Sequence, residues 1–157
     1  MKLEGSFPVS APRSAVWEAI RDPGLMARCV PGCSMAEQID ETSYRAMVTV
    51  KFGPITARFN LVVEIEEEIA PELVRSRTRG EEGTRASTVS STNILTLSEP
   101  EPGITQVDWS TDFTISGRLG KYGLGLMKKK VESLSTEFVQ TFAAKLEEGT
   151  EAERGTA

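Results

Sequence analysis

The sequence predicts an α+β protein in which a curved antiparallel sheet of about seven strands wraps around one long C-terminal helix, with two short helices after the first strand. Two observations predict this class. Apolar and polar residues alternate with a period of two between residues 35 and 117, and the apolar period then changes to about 3.6. Because neither element can bury its apolar side alone, we expect the helix to pack into the concave face of the sheet.

The N-terminal part of the chain predicts one strand and two short helices. Residues 2–9 alternate in polarity, as in a half-buried strand. Ser10 is in position to cap a following helix, which should end at Asp22 and the proline after it. A further helical turn is expected over residues 25–30, before Pro31 and the glycine that follows it.

The middle of the chain predicts strands separated by turns. Residues 44–52 and 55–65 each keep their apolar side chains on one parity, and a Gly-Pro pair between them predicts a hairpin. Strands are also expected over residues 73–79, 84–97 and 105–115. The sheet should therefore be antiparallel and meander-like.

The C-terminal part predicts one long amphipathic helix followed by a tail. Apolar residues recur there at three- and four-residue steps, as on one face of a helix. They are Tyr122, Leu126, Met127, Val131, Leu134, Phe138, Phe142 and Leu146. Residues 149–157 are acidic and small, with nothing to anchor them, so we expect a single domain over residues 1–148 and a disordered acidic tail over 149–157.

Composition excludes several classes of function. The chain has no histidine, which removes the usual general base, the common nucleophile systems and the commonest transition-metal ligand. A net charge of −5 argues against a nucleic-acid partner, because such binding relies on basic contacts to phosphates. Cys29 and Cys33 alone cannot complete a tetrahedral zinc site. We expect no catalytic residues and no metal.

Hydropathy predicts a cytoplasmic protein. No stretch approaches the roughly 20 apolar residues that a membrane-spanning helix needs. Residues 1–7 lack the features of a secretory signal.

A cavity for an apolar ligand is expected between the helix and the sheet. Aromatic residues are only 6% of the chain, and small residues such as Gly5, Ala46 and Ala57 share the inner parity of the sheet, which leaves volume unfilled. An ordinary solid core is the alternative. The residues expected to line the cavity are Phe7, Val48, Val50, Phe59, Leu61, Val63, Trp109, Phe113, Tyr122, Leu126 and Met127. The run from Ser90 to Asn93 could add polar groups against a ligand, although hydroxyl-rich strands are often simply exposed.

Two further segments are candidates for function. The first is a gate at the cavity mouth, a loop in which proline fixes one backbone angle and the following glycine leaves the next one free. The alternatives to a gate are a rigid corner and close packing of the glycine backbone against the sheet. The gate residues would be Cys29, Pro31, Gly32, Cys33, Gly120 and Gly123. The second is a basic docking surface at the start of the last helix, with solvated lysines as the alternative. Its residues would be Lys121, Lys128, Lys129 and Lys130.

Several short motifs, in order, resemble one known family. They are the opening Met1–Ser6, Ala11-Pro12, Val16-Trp17, Asp22-Pro23, Cys29-Val30-Pro31-Gly32-Cys33, Val50–Ile55 and Gly117-Arg118-Leu119-Gly120. In this order and spacing the chain is similar to the family of the carbon monoxide dehydrogenase G subunit, within the START/Bet v 1-like (SRPBCC) superfamily. The resemblance implies the helix-grip fold, in which the sheet grips the long helix.

The resemblance also implies a function. It indicates a non-catalytic accessory protein of a carbon monoxide dehydrogenase-type molybdenum hydroxylase, with a hydrophobic small molecule such as a quinone or lipid as cargo and no covalently bound cofactor. Its partners would be the hydroxylase subunits and the inner face of the cytoplasmic membrane, where it would lie peripherally. Two alternatives stay open: a recruitment or assembly factor without cargo, and a cyclase- or hydrolase-like enzyme that uses Glu64, Tyr44 or Tyr122.

Overall fold

The computed structural model describes residues 1–52, 54–83, 87–119 and 124–155. Two short helices follow the first strand, six more strands come next, and a long helix ends the described chain. The elements are β1 (Lys2–Val9), α1 (Arg13–Ile20), α2 (Pro23–Cys29), β2 (Cys33–Gln38), β3 (Ser43–Phe52), β4 (Ile55–Ile69), β5 (Leu73–Glu82), β6 (Ser87–Glu101), β7 (Ile104–Gly117) and α3 (Leu124–Gly155). The predicted α+β class is confirmed.

The strands form one antiparallel sheet with the order β1-β7-β6-β5-β4-β3-β2. Each strand from β2 to β7 pairs with the next along the chain, and β1 pairs with β7. Alternate residues face the helices, as in β3, where Ala46, Val48 and Val50 are buried while Arg45 and Lys51 are exposed. The period of two in the sequence therefore predicted the inner face of the sheet.

The first helix begins differently from the sequence prediction. The N-cap residue of α1 is Pro12, whose side chain has no acceptor, and Ser10 does not cap it. Instead Glu99, from the distant end of β6, accepts a hydrogen bond from the Arg13 N–H at 2.6 Å. A carboxylate at a helix N-terminus is electrostatically favourable. For α2 a local cap is present, because the Asp22 carboxylate accepts from two backbone N–H groups of the first turn.

The apolar core consists of two clusters at different positions along α3. The first cluster surrounds Phe142, which is 1% exposed, and joins α1, α2 and β1 to the later half of α3. The second surrounds Met127 and the fully buried Leu119, and packs against β3 and β4. Ser87 supports the second cluster by accepting a hydrogen bond from the Leu119 N–H at 3.0 Å. The long helix is thus anchored at two positions, near its start at Met127 and past its middle at Phe142.

Two boundaries extend beyond those predicted. The loop expected at residues 80–83 belongs mostly to β5, where the backbone of Asn60 lies so close to Gly80 that a Cβ would be 2.5 Å from its carbonyl oxygen. The helix α3 continues without a break through Gly155, so it extends into the stretch from residue 149 that is expected to be a disordered tail.

None of the described helices is both long enough and apolar enough to span a membrane.

The corner between α2 and β2 is tied to the sheet by its backbone. Gly32 has a φ of 80°, and its carbonyl accepts a hydrogen bond from the Thr49 N–H at 2.9 Å. A Cβ at this position would overlap the Thr49 carbonyl oxygen. Only glycine fits both the angle and the space, so the corner is held closely against β3.

We expect Gly32→Ala to lower the free energy of unfolding by about 2 kcal/mol or more, measured by urea denaturation, because strain in φ adds to the overlap with Thr49. Gly103→Ala is the matched control. Gly103 has a φ of 82° but nothing within 4 Å of a Cβ, so only the strain in φ should act there. Its replacement should lower the free energy of unfolding by about 1 kcal/mol. Equal losses in the two variants would contradict the tight corner.

Candidate functional site

A cavity of ≈ 410 Å³ lies between the middle of α3 and the concave face of the sheet. It occupies the stretch of the helix between the two core clusters. From α3 the cavity is lined by Val131, Leu134, Ser135, Phe138, Val139 and Phe142. Ile20, Met26, Val30 and Pro31 line it from the α1–α2 side. The helix therefore covers a space that the side chains of the two core clusters leave unfilled.

The floor of the cavity is the inner face of the sheet. Its larger side chains are Phe7, Tyr44, Val63, Ile65, Val74, Leu95 and Trp109. None of the described lining residues is an aspartate, glutamate, lysine or arginine. An environment of this kind favours an uncharged occupant, because a buried charge without a partner loses its hydration.

Polar groups on the floor form one continuous set across three neighbouring strands, which we call the polar strip: Ser76 and Thr78 of β5, Asn93 of β6 and Thr111 of β7. Ser76, Asn93 and Thr111 are directly opposite one another in the strand register. The Thr111 hydroxyl donates to the Asn93 Oδ1 at 2.8 Å, and the Asn93 Nδ2 lies 3.2 Å from the Thr78 Oγ1 and 3.5 Å from the Ser76 Oγ. The polar strip is thus bound together internally while it faces the cavity.

The position of Trp109 depends on a glycine in the neighbouring strand. Gly5 of β1 is directly opposite Trp109 of β7, and a Cβ at Gly5 would lie only 2.6 Å from the indole Cζ2. The missing side chain lets the indole lie against β1.

Tyr44 is the one titratable side chain among the described lining residues. Burial raises the pKa of its phenol above 10.0, and the charge that Cys33 carries when ionised adds to the effect. The phenol is therefore protonated at neutral pH. It is a poor general base there, but it can donate a hydrogen bond.

The structure places the predicted cavity residues in different environments. Phe7, Val63 and Trp109 line the cavity. The second core cluster holds Val48, Val50, Phe59 and Met127 with Leu61 packed against them, and Phe113 is also buried outside the lining. Leu126 was placed wrongly, because it is 46% exposed. Tyr122 lies outside the described residues.

The cavity lies further along α3 than predicted because the space near the start of the helix is filled. Leu119 and Met127 pack there against β3 and β4. Sequence reasoning missed the lining residues of α3 from Val131 to Phe142 and most of the polar strip. One signal was present: polar residues occupy the inner parity of β5 and β6, where a solid core would have apolar ones.

The residues predicted to form a gate have different environments. Pro31 lines the cavity, and Gly32 is the tightly packed corner described above. Cys29 is 2% exposed, and burial raises the pKa of its thiol, although Lys145 and Arg28 oppose the shift. Cys33 is half-buried and its thiol donates to the Met35 carbonyl at 3.3 Å; both thiols are free. Gly120 and Gly123 lie outside the described residues. Gating stays a prediction.

The predicted docking lysines lie on the first turns of α3. Lys128 and Lys129 are exposed and Lys130 is half-buried, while Lys121 lies outside the described residues. The exposed Leu126 is three residues before Lys129, on the same side of the helix. No group of three potential metal ligands occurs within the described part of the chain.

The family model for CoxG, the G subunit of carbon monoxide dehydrogenase, matches residues 5–147 of the chain. Among solved structures, a conserved protein from Geobacillus kaustophilus superposes with a TM-score of 0.85 at 18% identity, covering 93% of this chain and 95% of that one. A START superfamily protein from Mycobacterium smegmatis gives a TM-score of 0.73 at 10% identity, with coverages of 94% and 97%.

An aromatase/cyclase from a Streptomyces species gives a TM-score of 0.69 at 16% identity, with coverages of 94% and 93%. No curated protein matches the chain. At such low identities the solved structures show only that the fold is shared. Membership of a family rests on the family model.

Replacing Tyr44 tests whether its phenol is buried at the cavity. Above pH 10 the unfolded chain releases this proton while the folded chain retains it, so the stabilisation from the shift is present below pH 10 and is lost as the pH rises through the folded pKa. We expect the melting temperature to fall less steeply from about pH 9 to about pH 11 in Tyr44→Phe than in the wild type. Identical slopes would mean that the phenol is solvated.

Proposed function

The chain belongs to the CoxG family, the family of the G subunit of carbon monoxide dehydrogenase. We propose that it binds and carries one uncharged, apolar molecule in the cavity beneath α3. The cavity itself is the observation that supports the proposal. Its volume of ≈ 410 Å³ lies within the roughly 300–1,000 Å³ typical of small-molecule pockets. Apolar burial in such a site contributes about 25 cal/mol per Å².

The same lining favours a carrier over an enzyme. General acid–base catalysis requires a group whose pKa lies near the working pH. The described lining offers Tyr44 alone, and burial moves the pKa of that phenol away from neutrality. Glu64, the carboxylate considered for an enzyme, is exposed on the outer parity of β4 and lies 3.7 Å from Arg79. Transport of an intact molecule fits these groups better than its conversion.

The finer proposal concerns cargo and partners. As a family member, the chain would serve as an accessory protein of a molybdenum hydroxylase, carry a quinone or lipid, and recruit the hydroxylase to the membrane. The lysines at the start of α3, beside the exposed Leu126, suit contact with an acidic surface. The cavity opposite the middle of α3 would hold the cargo meanwhile.

A cavity-filling substitution tests the carrier role. Ser135 lines the cavity from α3, whereas Ser133 is exposed two residues earlier on the same helix. We expect mass spectrometry of organic extracts to detect a quinone or lipid in the native protein and none in Ser135→Phe. This variant should fold and keep its melting temperature within a few degrees. Ser133→Phe should retain that molecule. An empty wild-type protein, together with no thermal stabilisation by apolar quinone analogues, would overturn the proposal.

Vesicle flotation tests the recruitment role. We expect a co-expressed molybdenum hydroxylase to float with vesicles containing anionic phospholipid only when this chain is present. Combining Lys128→Glu with Lys129→Glu should weaken vesicle binding by about thirtyfold or more, since each basic residue near such a surface contributes about 1 kcal/mol. Lys51→Glu, at an exposed position in β3, should have little effect. Flotation that does not depend on this chain would contradict recruitment.

A further inference from the structure

The polar strip has a fixed direction of hydrogen bonding that starts at Asn93. The Thr111 hydroxyl is 2.8 Å from the Asn93 Oδ1, and a carbonyl oxygen can only accept. The amide NH₂ group therefore faces the other way, toward β5. It donates to the Thr78 Oγ1 at 3.2 Å and, over a longer distance of 3.5 Å, to the Ser76 Oγ.

This direction determines what the two β5 hydroxyls can still do. Each accepts from Asn93, so each keeps its own proton for a different partner. Within the described part of the chain, no acceptor for either proton is recorded, and both residues line the cavity. Both side chains are half-buried and not fully enclosed, which agrees with their place in the lining. They present donors to the cavity.

Other polar side chains of the lining add further donors. Trp109 carries an N–H that can only donate, and the hydroxyls of Tyr44, Ser110 and Ser135 can donate as well as accept. No carboxylate occurs among the described lining residues, and the one side-chain amide oxygen, that of Asn93, is engaged by Thr111. A carbonyl oxygen has two lone pairs and brings no donor of its own, so it complements a floor of this kind.

We propose that the polar strip makes the cavity selective for apolar molecules that present a carbonyl oxygen, with Thr78 and Ser76 as the donors and Asn93 as the residue that orients them. This inference rests on the proposed carrier function. It specifies the functional group of the cargo that is recognised and the side chains that recognise it.

A matched pair of rigid probes distinguishes apolar binding in the cavity from recognition of a carbonyl oxygen. 9-Fluorenone and fluorene have nearly the same shape, but only the first has a carbonyl oxygen. Thr78→Val keeps the shape of the side chain and removes its hydroxyl. In calorimetric titrations we expect this variant to bind fluorenone about three- to tenfold more weakly than the wild type, the size of one lost neutral hydrogen bond, with fluorene changed less than about twofold.

Asn93 is tested as a positioning residue by Asn93→Asp. A carboxylate accepts from the Thr78 hydroxyl instead of donating to it, so that proton turns away from the cavity. We expect the same selective loss of fluorenone binding although Thr78 is still present. The infrared carbonyl stretch of bound fluorenone should lie at lower frequency in the wild type than in Thr78→Val or Asn93→Asp. Thr78→Ser keeps a hydroxyl at this position and should show the low frequency of the wild type. Ser91→Ala, on the inner face of β6 but outside the lining, is the control.

Each outcome decides between the two proposals. If the wild type binds neither probe, the carrier function and the inference both fail. If it binds both probes but the variants change both affinities equally, or neither, or leave the carbonyl stretch unmoved, the cavity binds apolar molecules without reading a carbonyl oxygen. In that case the inference alone is overturned.

Discussion

The two-point anchoring of α3 is the constraint on which the rest of the structure depends. Met127 is held by the second core cluster and Phe142 by the first, each almost fully buried. A rigid helix fixed at both positions cannot bend toward the sheet between them, so the small and hydroxyl-bearing residues below leave a gap. The cavity lies in this gap between the two anchors, and the polar strip forms part of its floor.

Most of the fold could be predicted from the sequence because the relevant signals are local. Alternation assigned the inner face of β3, β4 and β7, and the change of period marked α3. The errors concern interactions between distant residues. The N-terminus of α1 is capped by Glu99, far along the chain, and no local pattern around Ser10 could reveal it.

The candidate site was harder to predict, for a physical reason. A helical period shows which residues share a stripe but not how the stripe is placed along the sheet. Leu126 belongs to the apolar stripe yet lies outside the contact, whereas Val131 and Phe138 cover the cavity. The hydroxyls and amide of the polar strip were visible as residues on the inner parity. Their mutual bonding depends on the register of β5, β6 and β7.

The pairing of β1 with β7 has a consequence for how the protein is made. The Met1 amino group donates to the Phe113 carbonyl at 2.9 Å, and the Phe113 N–H donates to the Met1 carbonyl at 2.8 Å, so β1 finds its partner only after β7 has been synthesised. Until then β1 has no neighbour in the sheet, and α3, which leaves the ribosome later still, has no complete surface to cover. Contacts this distant in sequence form slowly. A cargo molecule can therefore be enclosed only after α3 itself has been translated.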